Sequence, residues 1–264
     1  PARLHKGSPG GAGVGAVQAP DKGPTGRPPS LAALPAPTLP PNPRRNRPMP
    51  DTAPDLPTPV ELVTCSTAPN PRRVAAFLAE KGIDVPRTEI DLATRAHYAP
   101  EHLARFGTHH LPGIVLSDGS TLTETVAICR YLEGLAPEPN LMGRDPLEAA
   151  RIEMWQRRVE LMLMLPVAFV FRHAHPSMAE LETQIAEWSE ANRPRVAAAL
   201  ELLDRRLAES AFIAGERFTI ADITAYVTLD FMRVTKIRIP EDHAALLAWR
   251  EKLGDRPSLR RPAA

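Results

Sequence analysis

Three stretches of the chain gather residue types that could do chemistry. Ser66-Thr67-Ala68-Pro69-Asn70 brings two hydroxyls and one amide to the first turn of a predicted helix, where free N–H groups and the helix dipole favour negative charge. Asn70 can donate two N–H bonds, or it can serve as a plain turn former. Glu124-Thr125 opens a second predicted helix. Its free N–H groups suit a carboxylate ligand, although the same pair would also make an ordinary cap. His109-His110-Leu111-Pro112 runs into a predicted strand. Adjacent histidines rarely point the same way and no third ligand is evident, so no metal is expected. The two cysteines, Cys65 and Cys129, are too few for a disulfide scaffold or a four-cysteine zinc site. Cys65 is expected to end a strand as a buried thiol, and Cys129 to sit in the core.

The elements that must position these residues follow from periodicity. Val60 to Cys65 alternates and is rich in β-branched residues, which predicts a strand. Val74, Phe77 and Leu78 predict a helix from about 71 to 81, with Gly82 as its stop. Val85 to Leu92 is a second predicted strand and Pro100 to Phe106 a short helix. Two more strands, 113–116 and 120–122, flank the hairpin signal Asp118-Gly119. A helix then begins near Glu124, with Ile128, Tyr131, Leu132 and Leu135 on one face. The order β-α-β-α-β-β-α implies a small α/β sandwich. After a linker at 137–142 everything is predicted helical. One long pattern spans 145–172 with a bend at Pro166, and another spans 179–209 with an interruption at Pro194. Thr219-Ile220-Ala221-Asp222 is a capping signal for a helix to about Val234, and Glu241 to Leu253 forms the last helix.

Composition narrows the class. The chain has 264 residues, with 32 Lys+Arg against 31 Asp+Glu for a net charge of +1, which argues against nucleic-acid binding through bulk charge. The longest apolar run, Leu161 to Phe171, has 11 residues, well short of the about 20 that a membrane span needs. Of the 30 prolines, 16 fall in residues 1–59, a stretch with no aromatic residue. Residues 1–58 are therefore expected to be a disordered Pro/Gly-rich tail. Met49, just before the composition changes, is a candidate start of the translated chain.

Four segments together resemble the soluble glutathione S-transferase superfamily, in its bacterial-type form and nearest to the nu-like members with a Ser-Asn first turn. They are Ala68-Pro69-Asn70-Pro71-Arg72-Arg73-Val74, Leu111-Pro112-Gly113-Ile114-Val115-Leu116, Leu122 to Leu132 with its Glu124-Thr125-Val126-Ala127-Ile128, and Phe212 to Ile223. They stand in the family's order and spacing and cover about residues 60–264. The resemblance implies a thioredoxin-like N-terminal domain at 59–136 that binds glutathione and an all-α C-terminal domain at 143–264. It also implies a homodimer through the third and fourth helices, with Arg130 and Glu133 at its rim. With no export or disulfide signal, a cytoplasmic location is expected.

The family's site residues carry over as expectations. Pro112 is expected to be cis, turning the Leu111 N–H and C=O outward to pair with the peptide backbone of glutathione. Glu124 and Thr125 would hold its γ-glutamyl ammonium and carboxylate, and His110 its glycyl carboxylate. The family's hydroxyl before the first-turn proline is replaced by Ala68. That leaves Asn70 first, then Thr67 and Ser66, to stabilise the glutathione thiolate. Met162, Phe169 and His173 are candidates for the pocket of an apolar electrophilic second substrate; methionines at helical spacing are also ordinary core. The implied function is glutathione transfer to an electrophile, with peroxide or disulfide reduction as a variant and no metal. The alternative is a binding or regulatory protein that keeps the fold without the chemistry.

Overall fold

The structure is a computed structural model that describes residues 56–261. The expected tail lies outside the described residues except for its last three. Of these, Pro57 O accepts from Tyr131 Oη at 2.6 Å and Thr58 N donates to Ser117 Oγ at 3.0 Å.

The first half alternates as expected. β1 (Pro59–Thr64), α1 (Pro69–Lys81), β2 (Arg87–Glu89), α2 (Pro100–Phe106), β3 (Gly113–Leu116), β4 (Thr121–Leu122) and α3 (Thr125–Leu135) follow in that order. The sheet order is β2-β1-β3-β4, with β1 parallel to β2 and the other two pairings antiparallel. β2 is shorter than the apolar pattern of 85–92 suggests; only three residues pair with β1. The period-2 alternation of strand side chains builds two layers. Leu62, Ile114 and Leu116 face the core shared with α1 and α3. Val63 and Val115 face α2 and its Phe106. A Cβ on Gly113 would stand 2.5 Å from the Phe106 ring, so glycine is what lets α2 close on β3. This is the thioredoxin-like arrangement expected for the N-terminal half.

The second half is helical: α4 (Pro146–Arg158), α5 (Leu165–Ala174), α6 (Ala186–Glu209), α7 (Ile220–Phe231) and α8 (Ala244–Gly254). Between α4 and α5 the turn widens to a π-helix over Val159–Met164. The irregularity belongs to Pro166 but sits one turn ahead of it, because a proline clashes with the carbonyl four residues back. Pro194, expected to interrupt its helix, lies inside an unbroken α6. The carbonyl it frees is that of Glu190, which is exposed to water. The break falls instead at 179–185, before α6 begins. No helix among the described residues is long and apolar enough to cross a membrane.

α7 is the buried centre of this half, and its start is fixed by Asp222. The fully buried carboxylate accepts from Thr219 N at 2.9 Å, Ile213 N at 3.0 Å and Trp249 Nε1 at 3.2 Å. Burial pushes its pKa up to about 6, against the pull of these donors. Asp222→Ala would strand three buried donors, a cost of about 3–5 kcal/mol. Thermal unfolding followed by circular dichroism is expected to show Tm lowered by about 10 °C.

Candidate functional site

α1 begins without a side-chain cap, because its N-cap is Ala68. Pro69 and Pro71 have no N–H, and Arg72 N already donates to Ala68 O at 3.1 Å. The Asn70 N–H is thus the one backbone donor left at this helix start. The Asn70 side chain is oriented from behind. Its Oδ1 accepts from Arg73 Nη1 at 2.9 Å, and since a guanidinium can only donate, the Asn70 amide nitrogen must face away from it.

Arg73 is 2% exposed. Its Nε donates to Thr224 Oγ1 at 3.0 Å, Nη1 also approaches Met164 Sδ at 3.4 Å, and Nη2 donates to Glu160 Oε1 at 2.9 Å. The Gln156 amide, oriented by its neighbours, presents its oxygen to Nη2 at 2.8 Å. All five donors of the guanidinium therefore have partners. Glu160 continues a chain of alternating charge across the helix surfaces. It accepts from Arg157 at 3.2 Å, Arg157 also reaches Glu153 at 2.9 Å, and Glu153 pairs with Arg130 at 3.0 Å.

These residues wall a cleft of about 350 Å³ whose far side is the start of α3: Glu124, Thr125, Val126 and Ala127. The first-turn N–H groups of α3 have no intrahelical partners. Glu124 takes the left-handed backbone, φ 65° and ψ 116°, which costs a non-glycine residue about 1–3 kcal/mol. Its exposed carboxylate has no ion-pair partner among the described residues, whereas every other glutamate of the cleft has one. The cleft thus offers free N–H groups and helix dipole for a carboxylate, a free carboxylate for a cation, and the Asn70 donors opposite.

The expected site residues divide by position. Asn70, Glu124 and Thr125 line this one cleft; Ser66 and Thr67 do not. Ser66 lines a cavity on the other side of α1 and its N–H is held by Glu89. The Thr67 hydroxyl lies 3.4 Å from the Cys65 thiol. Leu111–Pro112 is cis, and the Leu111 N–H and C=O make no backbone hydrogen bond among the described residues. His110 is exposed, its Nδ1 3.2 Å from Thr108 Oγ1. Met162 is exposed, while Phe169 packs on Trp188 and His173, and His173 Nδ1 accepts from Ile185 N at 3.2 Å. None of these three lines the cleft. Glu133, expected at a rim, instead clamps the linker, pairing with Lys81 at 2.6 Å and accepting from Leu141 N and Met142 N. Both cysteines are buried, and burial pushes the Cys129 thiol up to about 12, so it is inert. Sequence reasoning misses Arg73 and the charge chain behind it; the only signal is an arginine placed on the buried face of α1.

Residues 67–135 match the glutathione S-transferase N-terminal domain family and residues 186–252 its C-terminal domain family. The chain is 36% identical over 197 residues to glutathione S-transferase 2 of Saccharomyces cerevisiae, covering 73% of this chain and 84% of that protein. The crystal structure of Gtt2 from the same yeast superposes with a TM-score of 0.72 at 35% identity, covering 76% of this chain and 98% of that one. A glutathione S-transferase domain-containing protein of Marinobacter aquaeolei gives a TM-score of 0.72 at 34% identity, with 76% of this chain and 100% of that chain covered.

The loop that carries Leu111 rests on histidines. His97 and His102 are buried, with His97 Nδ1 and His102 Nε2 unpartnered among the described residues. His109 Nδ1 lies 3.1 Å from His97 O and its ring stacks on Tyr98. Burial holds His97 and His102 below their usual 6.5, and the neighbouring histidines push His97 the same way. A lowered pKa means that the folded state binds fewer protons than the unfolded one. Stability is therefore complete above 6.5 and is lost as pH falls through the folded-state values. Tm is expected to drop between roughly pH 7 and pH 5, with a shallower slope in a His97→Gln/His102→Gln variant. An equal slope in both proteins would refute the assignment.

Proposed function

The chain belongs to the soluble glutathione S-transferase superfamily, and from that premise we propose that it binds glutathione in the cleft between α1 and α3 and transfers its thiolate to an electrophilic small molecule. The observation that carries this is the pairing, in one cleft, of the α3 N-terminus with the unpaired Glu124. An α-amino acid zwitterion needs that combination: N–H groups and dipole for its carboxylate, and a carboxylate for its ammonium. The γ-glutamyl end of glutathione is such a zwitterion. The open Leu111 main chain supports an edge-strand contact to the cysteinyl unit, and the exposed His110 would meet the glycyl carboxylate.

Chemistry then falls to Asn70. A free thiol has a pKa of about 8.5, and donors at a helix N-terminus lower it. The Asn70 N–H and the outward amide nitrogen, held by Arg73, would stabilise the thiolate by donation without accepting a proton. The thiol proton leaves to solvent, and the thiolate lone pair then forms the new bond to the electrophile as a leaving group departs with its bonding pair or, in an addition, as the displaced π pair takes a proton from water. Thr67 and Ser66 are secondary candidates that would need the loop to move. Met162, Phe169 and His173 would meet a second substrate only if it extends along α5. Peroxide or disulfide reduction uses the same thiolate. Two free buried thiols fit a reducing compartment, so the location proposed is cytoplasmic. The exposed apolar residues Leu147, Met154 and Leu161 lie seven apart along α4 and its π-helical continuation, which supports a homodimer through that face. Division into a tail, a domain at 59–136 and another at 143–264 completes the proposal.

Ala68 favours one other reading, a protein that binds glutathione without turnover, and two variants separate the readings. Glu124→Gln is expected to weaken glutathione binding about tenfold in calorimetry, the loss of one charge-assisted contact. Asn70→Ala is expected to leave binding within a few-fold and lower kcat/KM by about 10–100-fold, with the pH profile shifted to higher pH. Saturable binding with no turnover on electrophiles, peroxides or disulfides would establish the second reading instead.

A further inference from the structure

A second cavity, of about 560 Å³, opens at the end of α7 and shares no residue with the α1–α3 cleft. Its walls carry Arg233, Lys236, Arg238, Arg250 and Arg261 against one carboxylate, Asp230. That carboxylate is already committed: Arg72 donates to it at 2.5 Å and Arg261 at 2.7 Å. Arg233, Lys236, Arg238 and Arg250 have no hydrogen-bond or ion-pair partner among the described residues. The acids close along the chain, Glu241, Asp242 and Glu251, do not line the cavity, and Asp242 lies 3.1 Å from His243 Nδ1.

Backbone geometry brings these cations together. α7 ends in a 3-10 turn, Met232–Thr235, and the chain then reverses through Lys236 in the left-handed conformation, φ 59°. A lysine has no intrinsic preference for that conformation. Here it puts Arg233, Lys236 and Arg238, all exposed, on one rim. Arg250 arrives from α8 and Arg261 from the C-terminal segment. The floor beneath them is apolar, formed by Leu229, Ile239 and Leu247.

We propose that this cavity binds a small organic polyphosphate, with two or more phosphoryl groups on the cationic rim and an apolar or aromatic body on the floor, the size of a nucleoside diphosphate. Charge selects the class: the four unpaired cations would be poorly balanced by a single negative charge. Residue type selects it further, because three of the four are arginines, whose planar forks match phosphoryl oxygens. The cavity volume and its apolar floor call for more than inorganic anion alone.

The test is calorimetric titration of the full chain with ADP and with inorganic pyrophosphate, in the presence and absence of saturating reduced glutathione. ADP is expected to bind saturably at one site per chain, more tightly than pyrophosphate, with affinity falling as salt rises. Arg250→Glu and the double variant Arg233→Ala/Arg238→Ala, both confined to side chains outside the core, are each expected to weaken ADP at least about tenfold. An Arg195→Ala/Arg205→Ala variant, which removes equal charge from α6 at residues that do not line the cavity, is expected to leave it unchanged. The proposal is overturned by absence of binding at millimolar ADP, by equal losses in the α6 control, or by pyrophosphate binding as tightly as ADP. Displacement of ADP by glutathione would also overturn it, since the ligand would then occupy the other cleft. A chain that ignores glutathione but binds ADP at this rim would refute the transferase reading and leave this one standing.

Discussion

Much of this structure hangs on one buried guanidinium. Arg73 leaves the N-terminal half on α1 and enters the helical half, where Thr224, Gln156, Glu160 and Met164 surround it. A charge this deep is tolerated only when paired and fully hydrogen-bonded; removing one partner of such a set typically costs about 3–5 kcal/mol. Three consequences follow. The start of α1 cannot shift against α7 without breaking the contact to Thr224. The π-helical turn that supplies Glu160 and Met164 is held in place. And the Asn70 amide is turned so that its nitrogen points outward. One residue thereby couples the packing of the two halves to the geometry of the cleft between α1 and α3.

Other ion pairs reinforce the same seam, and each brings a different part of α1 under control. Arg72 meets Asp230 near the end of α7, Glu80 takes a bidentate contact from Arg256, and Lys81 is spent on Glu133 and the carbonyls of Ala136 and Pro139 in the linker. Helix α1 is thus fixed at its first turn, its last turn and its buried middle. By contrast, Glu124 and the basic rim beyond α7 keep unpaired charge. Charge is thus paired along the seam and left unpaired, among the described residues, at Glu124 and at the basic rim.

Periodicity along the chain makes most of the fold legible. The β-α-β-α-β-β-α order, the short α2 and the capping box at Thr219 and Asp222 are local features, set by alternation, proline placement and side chains a few residues apart. The departures are also local in origin but tertiary in outcome. Pro194 sits in an uninterrupted α6, where both it and Glu190, four residues back, are exposed. Pro166 displaces the irregularity to the turn before it. The strand at 87–89 is short, with single hydrogen bonds at Pro86 O and Ile90 N extending its contact with β1 by one residue at each end, although the apolar pattern runs further.

The sequence by itself determined the fold class, the family and the short motifs, Asn70 at a helix start and Glu124-Thr125 at another, because each depends on neighbours in the chain or on a pattern of such neighbours; the cis Leu111–Pro112 bond was implied only by the family resemblance. Only the tertiary structure decided which first-turn polar group faces the cleft, and it chose Asn70 over Ser66 and Thr67. It also decided that Phe169 and His173 pack toward α6, and that five basic residues from three segments share one cavity. The physical reason is distance along the chain. Arg73 and Thr224 are 151 residues apart and Arg72 and Asp230 are 158, so no periodicity or local motif encodes their contact, and it is those contacts that orient the site.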